Sequence, residues 1–170
     1  MSGRYDALAH VFACCDAIYR TLGEGAPRVT TDAYVVRLHE MSRRFGAIAL
    51  ELRGHLEGEA PAPLAVIERV LAQALEADPS GALALYGAAM VVSPRLLVTV
   101  RDARAVDPDD QGFQALLDEV ASTTVAEIHL MASLNGSFEA GEDPRWRAAA
   151  RALVDLADAS GNAESFVWSR

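Results

Sequence analysis

The hydrophobic pattern centres on one long apolar run, 81–100. Drawn as a helix, this run carries apolar residues on every side, and its main interruption is the stretch 93–95, Ser-Pro-Arg. A helix on the surface of a globular protein needs a polar face toward water. We therefore predict a buried, central helix-break-helix over 81–105. The β-branched residues of 96–100 leave a strand as the alternative for that short segment.

The segments on either side of this run are amphipathic, with apolar residues three and four positions apart. Such spacing places the apolar side chains on one face of an α-helix. Turn-forming pairs such as Asp78-Pro79 separate the segments. The predicted flanking helices are 5–22, 32–56, 64–77, 111–134 and 144–159. The pattern thus predicts an all-α, single-domain bundle of six or seven helices over 1–170, in which 162–170 form a C-terminal tail.

Composition narrows the classes of function. Hydrophobic residues make up 51% of the 170 residues, as is typical of a globular domain with its own core. All 15 basic residues are arginine, which indicates a high-GC bacterial coding sequence and leaves no lysine for Schiff-base or Walker-type chemistry. The net charge is −9 and no basic run occurs, so we expect neither nucleic acid nor a membrane as a partner. We expect a cytoplasmic protein that its acidity keeps in solution.

The residue types that bind metals or react as thiols are few. The only cysteines, Cys14 and Cys15, are adjacent and have no distant partner for a disulfide, which fits a reducing cytoplasm. The helical pattern predicts Cys15 in the core and Cys14 on the surface. Two helical columns carry metal-ligating residues: Asp6-His10-Cys14 and Glu51-His55. Both lie off the apolar stripe of their helix, whereas ligands in helical bundles project inward, so we predict no metal and no cofactor.

Glu127 is the strongest candidate for a functional residue. It falls within the apolar stripe of the 111–134 helix, and a buried carboxylate has to pair with a cation, accept hydrogen bonds or bind a proton. In one interpretation it belongs to a ligand pocket between helices. The wall of that pocket would consist of Tyr86, Met90, Thr124, Glu127 and Met131. In the other interpretation Glu127 forms an internal salt bridge with an arginine.

Two arginines have predicted partners on their own helices. Glu40 lies four residues before Arg44, which predicts a surface ion pair. Arg95 has Thr99 and Asp102 at helical spacing, so we predict that all three share a wet face. A structural role for Arg95, through Asp102 or a helix cap, is therefore expected instead of an anion site.

The sequence contains no catalytic motif that we recognise. A Gly-x-Ser-x-Gly elbow and a glycine-rich phosphate loop are both missing. We therefore predict a non-catalytic helical module with an interaction or regulatory role. We expect it to act through protein–protein contacts, either as a homodimer or other homo-oligomer or with a different protein as its partner. The apolar residues Phe166, Val167 and Trp168 are predicted to dock on such a partner. The alternative is a bundle, or an enzyme, whose pocket around Glu127 binds a small hydrophobic ligand.

Overall fold

The computed structural model describes residues 2–134 and 143–159, and each regular element in these ranges is helical. The α-helices are α1 (Ser2–Gly25), α2 (Asp32–Gly54), α3 (Ala65–Ala77), α4 (Ala82–Tyr86), α5 (Ser93–Arg104), α6 (Gln111–Leu134) and α7 (Pro144–Asp158). The all-α prediction is confirmed, and the segment 96–100 is helical because it lies within α5. The predicted tail, 162–170, lies outside the described residues.

The middle of the bundle is formed by the apolar run. A π-helical segment, Gly87–Val92, joins α4 to α5, and together they make one helix, Ala82–Arg104, called the central helix below. This helix contacts α1, α2, α3, α6 and α7. By length and composition it is apolar enough to cross a membrane, but 72% of its most apolar window is buried inside the fold. Its predicted central position is therefore confirmed.

The interruption predicted at Pro94 takes the form of the π-helical segment, and the chain does not leave the helix. Ser93 keeps a right-handed helical backbone, with φ −60° and ψ −42°. Pro94 has no N–H to donate to the preceding turn, and a π-helical turn absorbs such a mismatch. The Ser93 hydroxyl donates to the Ala88 carbonyl at 2.8 Å, and Arg95 Nη1 donates to the Val91 carbonyl at 2.7 Å. Side chains thus satisfy carbonyls of the irregular turn.

Two carboxylates define where the central helix and α6 begin. The Asp78 carboxylate accepts hydrogen bonds from the backbone N–H groups of Ser80 and Leu83, both at 3.0 Å. The Asp110 carboxylate accepts from the N–H of Phe113 at 2.8 Å. That hydrogen bond, together with the nearby Arg4, holds the pKa of Asp110 below its usual range. Such N-terminal caps specify the helix start, and the cap on α6 helps to place Glu127 along the bundle.

Cys14 is buried, and the prediction that it lies on the surface was wrong. α1 packs against α2, α3 and α5, so its buried band is wider than the single stripe seen in the sequence. The backbone N–H of Leu64, in the loop before α3, even donates to the carbonyl of Ala13 at 3.1 Å. Both thiols are fully buried, and burial raises the pKa of each; the Asp16 carboxylate adds to the effect on Cys15.

We expect both thiols to be unreactive in the native protein. Burial keeps them protonated and out of reach, whereas the thiolate is the reactive species. Labelling with a thiol reagent at pH 8 should be at least about a hundredfold slower than in denaturant, because it requires opening of the core. Fast native labelling of one thiol would contradict the packing of α1. Since both pKa values are raised, the stability that the neutral thiols contribute is present below pH 9.0, their ordinary value, and is lost as the pH rises above it.

Candidate functional site

The candidate site is a group of charged side chains around the buried Glu127, where α6 packs on α2. Glu127 has no exposed surface. It lies on the buried face of α6, as the apolar stripe predicts. The other buried residues of this face are Phe113, Leu117, Val120, Thr124 and Met131. The opposing helix, α2, supplies the counter-charges.

Both oxygens of the Glu127 carboxylate are paired with arginines of α2. Oε2 accepts a hydrogen bond from Nη2 of Arg37, and Oε1 accepts one from Nη1 of Arg44 at 2.5 Å. The second terminal nitrogen of Arg37, Nη1, donates to Oε2 of Glu40 at 3.2 Å. Arg37 therefore bridges a buried carboxylate and a surface carboxylate. We call these four residues the carboxylate–arginine network.

The network is neutral overall and runs from the interior to the surface. The side chain of Arg37 is 10% exposed, that of Arg44 is 45% exposed and that of Glu40 is 49% exposed. Removing a carboxylate from water is costly unless cations and hydrogen bonds replace the lost hydration. Here two guanidinium groups replace it, so the internal salt bridge expected as one of the two interpretations is present. Chemically, the arrangement holds two helices in register and positions Glu40.

The partners of Glu127 differ from those that helical spacing predicts. The spacing predicts a pair between Glu40 and Arg44, whereas the structure pairs Arg44 with Glu127 and Glu40 with Arg37. The available signal was the seven-residue spacing of Arg37 and Arg44, which places both on one side of α2. A buried carboxylate on a neighbouring helix is the kind of group that such a pair of arginines neutralises.

The other predicted site residues are divided between two places. The Thr124 hydroxyl donates to the Val120 carbonyl at 2.6 Å, and Met131 is buried about two turns further along α6. Tyr86 and Met90 lie half-buried on the central helix. The ring of Tyr86 packs edge-on against Trp146 of α7, with 5.2 Å between centroids. The structure thus brings Thr124, Glu127 and Met131 onto one face and places Tyr86 against α7. Whether the five residues enclose a pocket stays a prediction.

Arg95 does not have the environment that its helical neighbours predict. Thr99 is fully buried, so the three residues share no wet face. Nη2 of Arg95 pairs with Asp158 near the end of α7, while Asp102 pairs with Arg101 at 2.8 Å. The structural role is therefore filled by a residue 63 positions away along the chain. Arg95 ties α7 to the central helix.

A cleft lies at the end of the bundle that holds the N-terminus of α1. It has a volume of about 700 Å³. Its polar lining consists of Arg4, Tyr5, Asp6, His55, Glu57 and Asp107. The cleft brings together Asp6 and His55, one residue from each column considered for metal binding. In residues 2–134 and 143–159, no group of three or more His, Cys, Asp or Glu side chains is arranged to hold a metal ion.

Comparisons with family models, curated proteins and solved structures give no match to this chain. Its function must therefore be argued from its own geometry. In that geometry each buried charged side chain of the described residues forms an ion pair, some of them with exposed partners. The network around Glu127 is the feature most able to influence the surface, because it ends on Glu40.

The network predicts an order of stability among three variants. Glu127→Gln removes the buried counter-charge of Arg37 and leaves it only the half-exposed Glu40, and should lower the free energy of unfolding by about 2–3 kcal/mol. Arg44→Gln should cost about 1 kcal/mol or less, because its side chain is partly solvated. Glu119→Gln is the control, because it makes the same substitution at an exposed position of α6. Its free energy of unfolding should stay within about 0.5 kcal/mol of that of the wild type. Denaturant unfolding measures all three, and a Glu127 variant as stable as the control would contradict the assigned role.

Proposed function

We propose that this chain is a non-catalytic helical module that acts through protein–protein contacts and associates with itself. The observation that carries the proposal is the apolar surface of α2. Leu50 is 76% exposed and Val36 is 59% exposed, although α2 already buries a full apolar stripe against the core. The two residues lie 14 positions apart on one face of α2, with Glu40, Arg43 and Ala47 between them. We propose that they are the apolar anchors of a contact with a partner helix.

An aromatic side chain extends this surface toward α1. Tyr19 is 44% exposed, and its ring lies over Gly46 of α2, where an added Cβ would come within 2.6 Å of Cδ2. Gly46 is one helical turn before Leu50. Tyrosine supplies a large contact area with few rotatable bonds, which suits it to interfaces. The ring of Tyr19 thus lies against α2 one turn before Leu50.

The state of the interior supports a non-catalytic role. The carboxylate of Glu127 and the guanidinium of Arg95 are each bound to partners within the chain. The two thiols are buried, with raised pKa values. Catalytic acids, bases and nucleophiles need access to a substrate as well as a tuned pKa. The buried carboxylate, guanidinium and thiols of this chain therefore have structural roles and are not accessible to a substrate.

The alternative, a small hydrophobic ligand held near Glu127, stays a prediction. Its polar anchor would be the carboxylate, yet both oxygens already accept hydrogen bonds from arginine. The Thr124 hydroxyl is likewise engaged with a backbone carbonyl. These contacts favour the structural interpretation of Glu127. Phe166, Val167 and Trp168, which were also expected to dock on a partner, lie outside the described residues.

The charge of the whole chain limits the partners that we propose. There are 24 acidic residues against 15 basic ones, so an anionic polymer or membrane surface would be repelled. A protein surface, including that of a second copy, offers mixed charges and apolar contacts instead. We accordingly propose a cytoplasmic setting in which neither nucleic acid nor membrane is the partner.

Sedimentation equilibrium over a wide concentration range tests the proposal. We expect a reversible dimer with twice the 18.2 kDa mass of the chain, because apolar surface on α2 is removed from water on association. Native mass spectrometry of the purified protein tests the alternative at the same time. A monomer at every concentration, accompanied by a bound small molecule of defined mass, would contradict the proposal and support the ligand-binding alternative.

A further inference from the structure

The outward face of α2 carries a regular row of five exposed residues. They are Val36, Glu40, Arg43, Ala47 and Leu50, which we call the outer stripe. At 100° per residue these positions span an arc of about 80° on the helix surface. The buried residues of α2, such as Leu38, Phe45 and Leu52, lie on the opposite side. The outer stripe therefore faces directly away from the core.

The spacing of the outer stripe is that of a helix–helix seam. Its positions alternate in steps of four and three, which gives the 3.5-residue repeat of two-stranded coiled coils. Val36 and Leu50 stand near the ends of the row, Ala47 is small enough to allow close approach, and Glu40 and Arg43 lie between. A repeat of this kind fits another α-helix better than it fits a flat surface or a small molecule.

The two charged residues of the outer stripe, Glu40 and Arg43, differ in whether they form an ion pair within the chain. Glu40 is held in place by Arg37, which is itself held by the buried Glu127. The side chain of Arg43 is exposed and, within the described residues, forms no hydrogen bond or ion pair. The stripe thus presents one fixed anion and, three residues later, one cation without a partner. This arrangement is complementary to itself.

We propose that the occupant of the outer stripe is α2 of a second copy, in antiparallel orientation. If the two-fold axis passes between positions 40 and 43, Glu40 of each copy lies opposite Arg43 of the other, and two identical ion pairs form. A parallel pair would instead bring like charges together at both positions, which is destabilising. An isologous two-fold contact is also the commonest form of association for soluble proteins.

The antiparallel register brings the apolar residues together as well. Val36 lies opposite Ala47 of the second copy, and Leu50 lies opposite Ala33, which is exposed at the start of α2. The paired length from Ala33 to Leu50 is about 27 Å at 1.5 Å per residue. Within α2 there are four arginines and three acidic residues, whereas the whole chain carries −9. The excess of negative charge on the chain is therefore not located on α2, and it does not oppose the pairing of this helix with its copy.

Charge reversal in the full-length protein tests the register. Glu40→Arg and Arg43→Glu each give a chain whose two stripe charges are alike, so each homodimer would place like charges opposite one another twice. We expect the dissociation constant of each homodimer to rise about tenfold or more. An equimolar mixture of the two variants should form a heterodimer close to the wild type in affinity. Arg69→Glu, at an exposed position on α3, has the same charge change as Arg43→Glu and should leave the dissociation constant unchanged.

Cross-linking tests the orientation independently of charge. Val36→Cys and Ala47→Cys are introduced in two separate variants, which are then mixed. On mild oxidation a disulfide should form between one chain of each variant, whereas either variant alone should cross-link poorly. Cys14 and Cys15 are buried and do not compete. Disulfides formed within one variant, or none in a sample that is dimeric, would overturn the antiparallel register.

The inference rests on the proposed function, but the two fail in different ways. A wild-type dimer whose affinity is unaffected by either reversal places self-association on another surface; it overturns the inference and leaves the proposed function standing. A wild-type protein that is monomeric at all concentrations overturns both. Weakened homodimers together with a restored heterodimer support both.

Discussion

The buried carboxylate of Glu127 is the constraint on which the relation between α6 and α2 depends. A carboxylate with no exposed surface is tolerated only where cations and hydrogen bonds replace water. Arg37 and Arg44 lie about two turns apart on α2 and meet that need together, so sliding either helix by one turn, about 5.4 Å, would leave a charge without its partner. The ion pairs therefore specify register more than they add stability. They also set the rotation of α2 about its axis, which decides which residues face outward.

The arginine-only composition has a structural consequence beyond the codon usage that it indicates. Arg37 uses its two terminal nitrogens for two different carboxylates. Arg95 uses one for the Val91 carbonyl in the π-helical segment and the other for Asp158 on α7. A guanidinium presents several donors in a fixed plane, whereas an ammonium is a point charge. Each of these arginines thus joins two elements, which lysine would do less well.

Helical periodicity predicted the elements because it reports local burial. The observed α2, Asp32–Gly54, and α6, Gln111–Leu134, lie within two residues of the expected bounds. The same periodicity placed Glu127 correctly on an inward face. It failed for Cys14, because a helix surrounded on several sides buries more than one stripe, and sequence spacing does not reveal how many neighbours a helix has.

Partners across helices were the part that local pattern could not supply. Arg44 has Glu40 within reach on its own helix, yet it binds Glu127, because a desolvated carboxylate gains more from a cation than a hydrated one does. Arg95 likewise binds Asp158 and not its helical neighbour Asp102. For Arg44 the choice is made by burial of the distant acid. Asp158 is 37% exposed, close to the 40% of Asp102, so there the choice is made by the packing of α7, which only the tertiary structure defines. Local pattern also did not predict the π-helical turn before Pro94, whose carbonyls accept hydrogen bonds from the side chains of Ser93 and Arg95.

α2 therefore has two faces with different physical origins. The inner face follows from the need to bury Leu38, Phe45 and Leu52. The outer face, with Val36 and Leu50, serves no packing purpose inside the described fold. The two are connected through Arg37, which takes the buried charge of Glu127 with one nitrogen and orients Glu40 with the other. Because the surface anion Glu40 is positioned through Arg37 by the buried Glu127, the geometry of the outer face depends on the packing of the interior. If α2 lost its register against α6, it would present neither the charge pattern nor the apolar residues of this face.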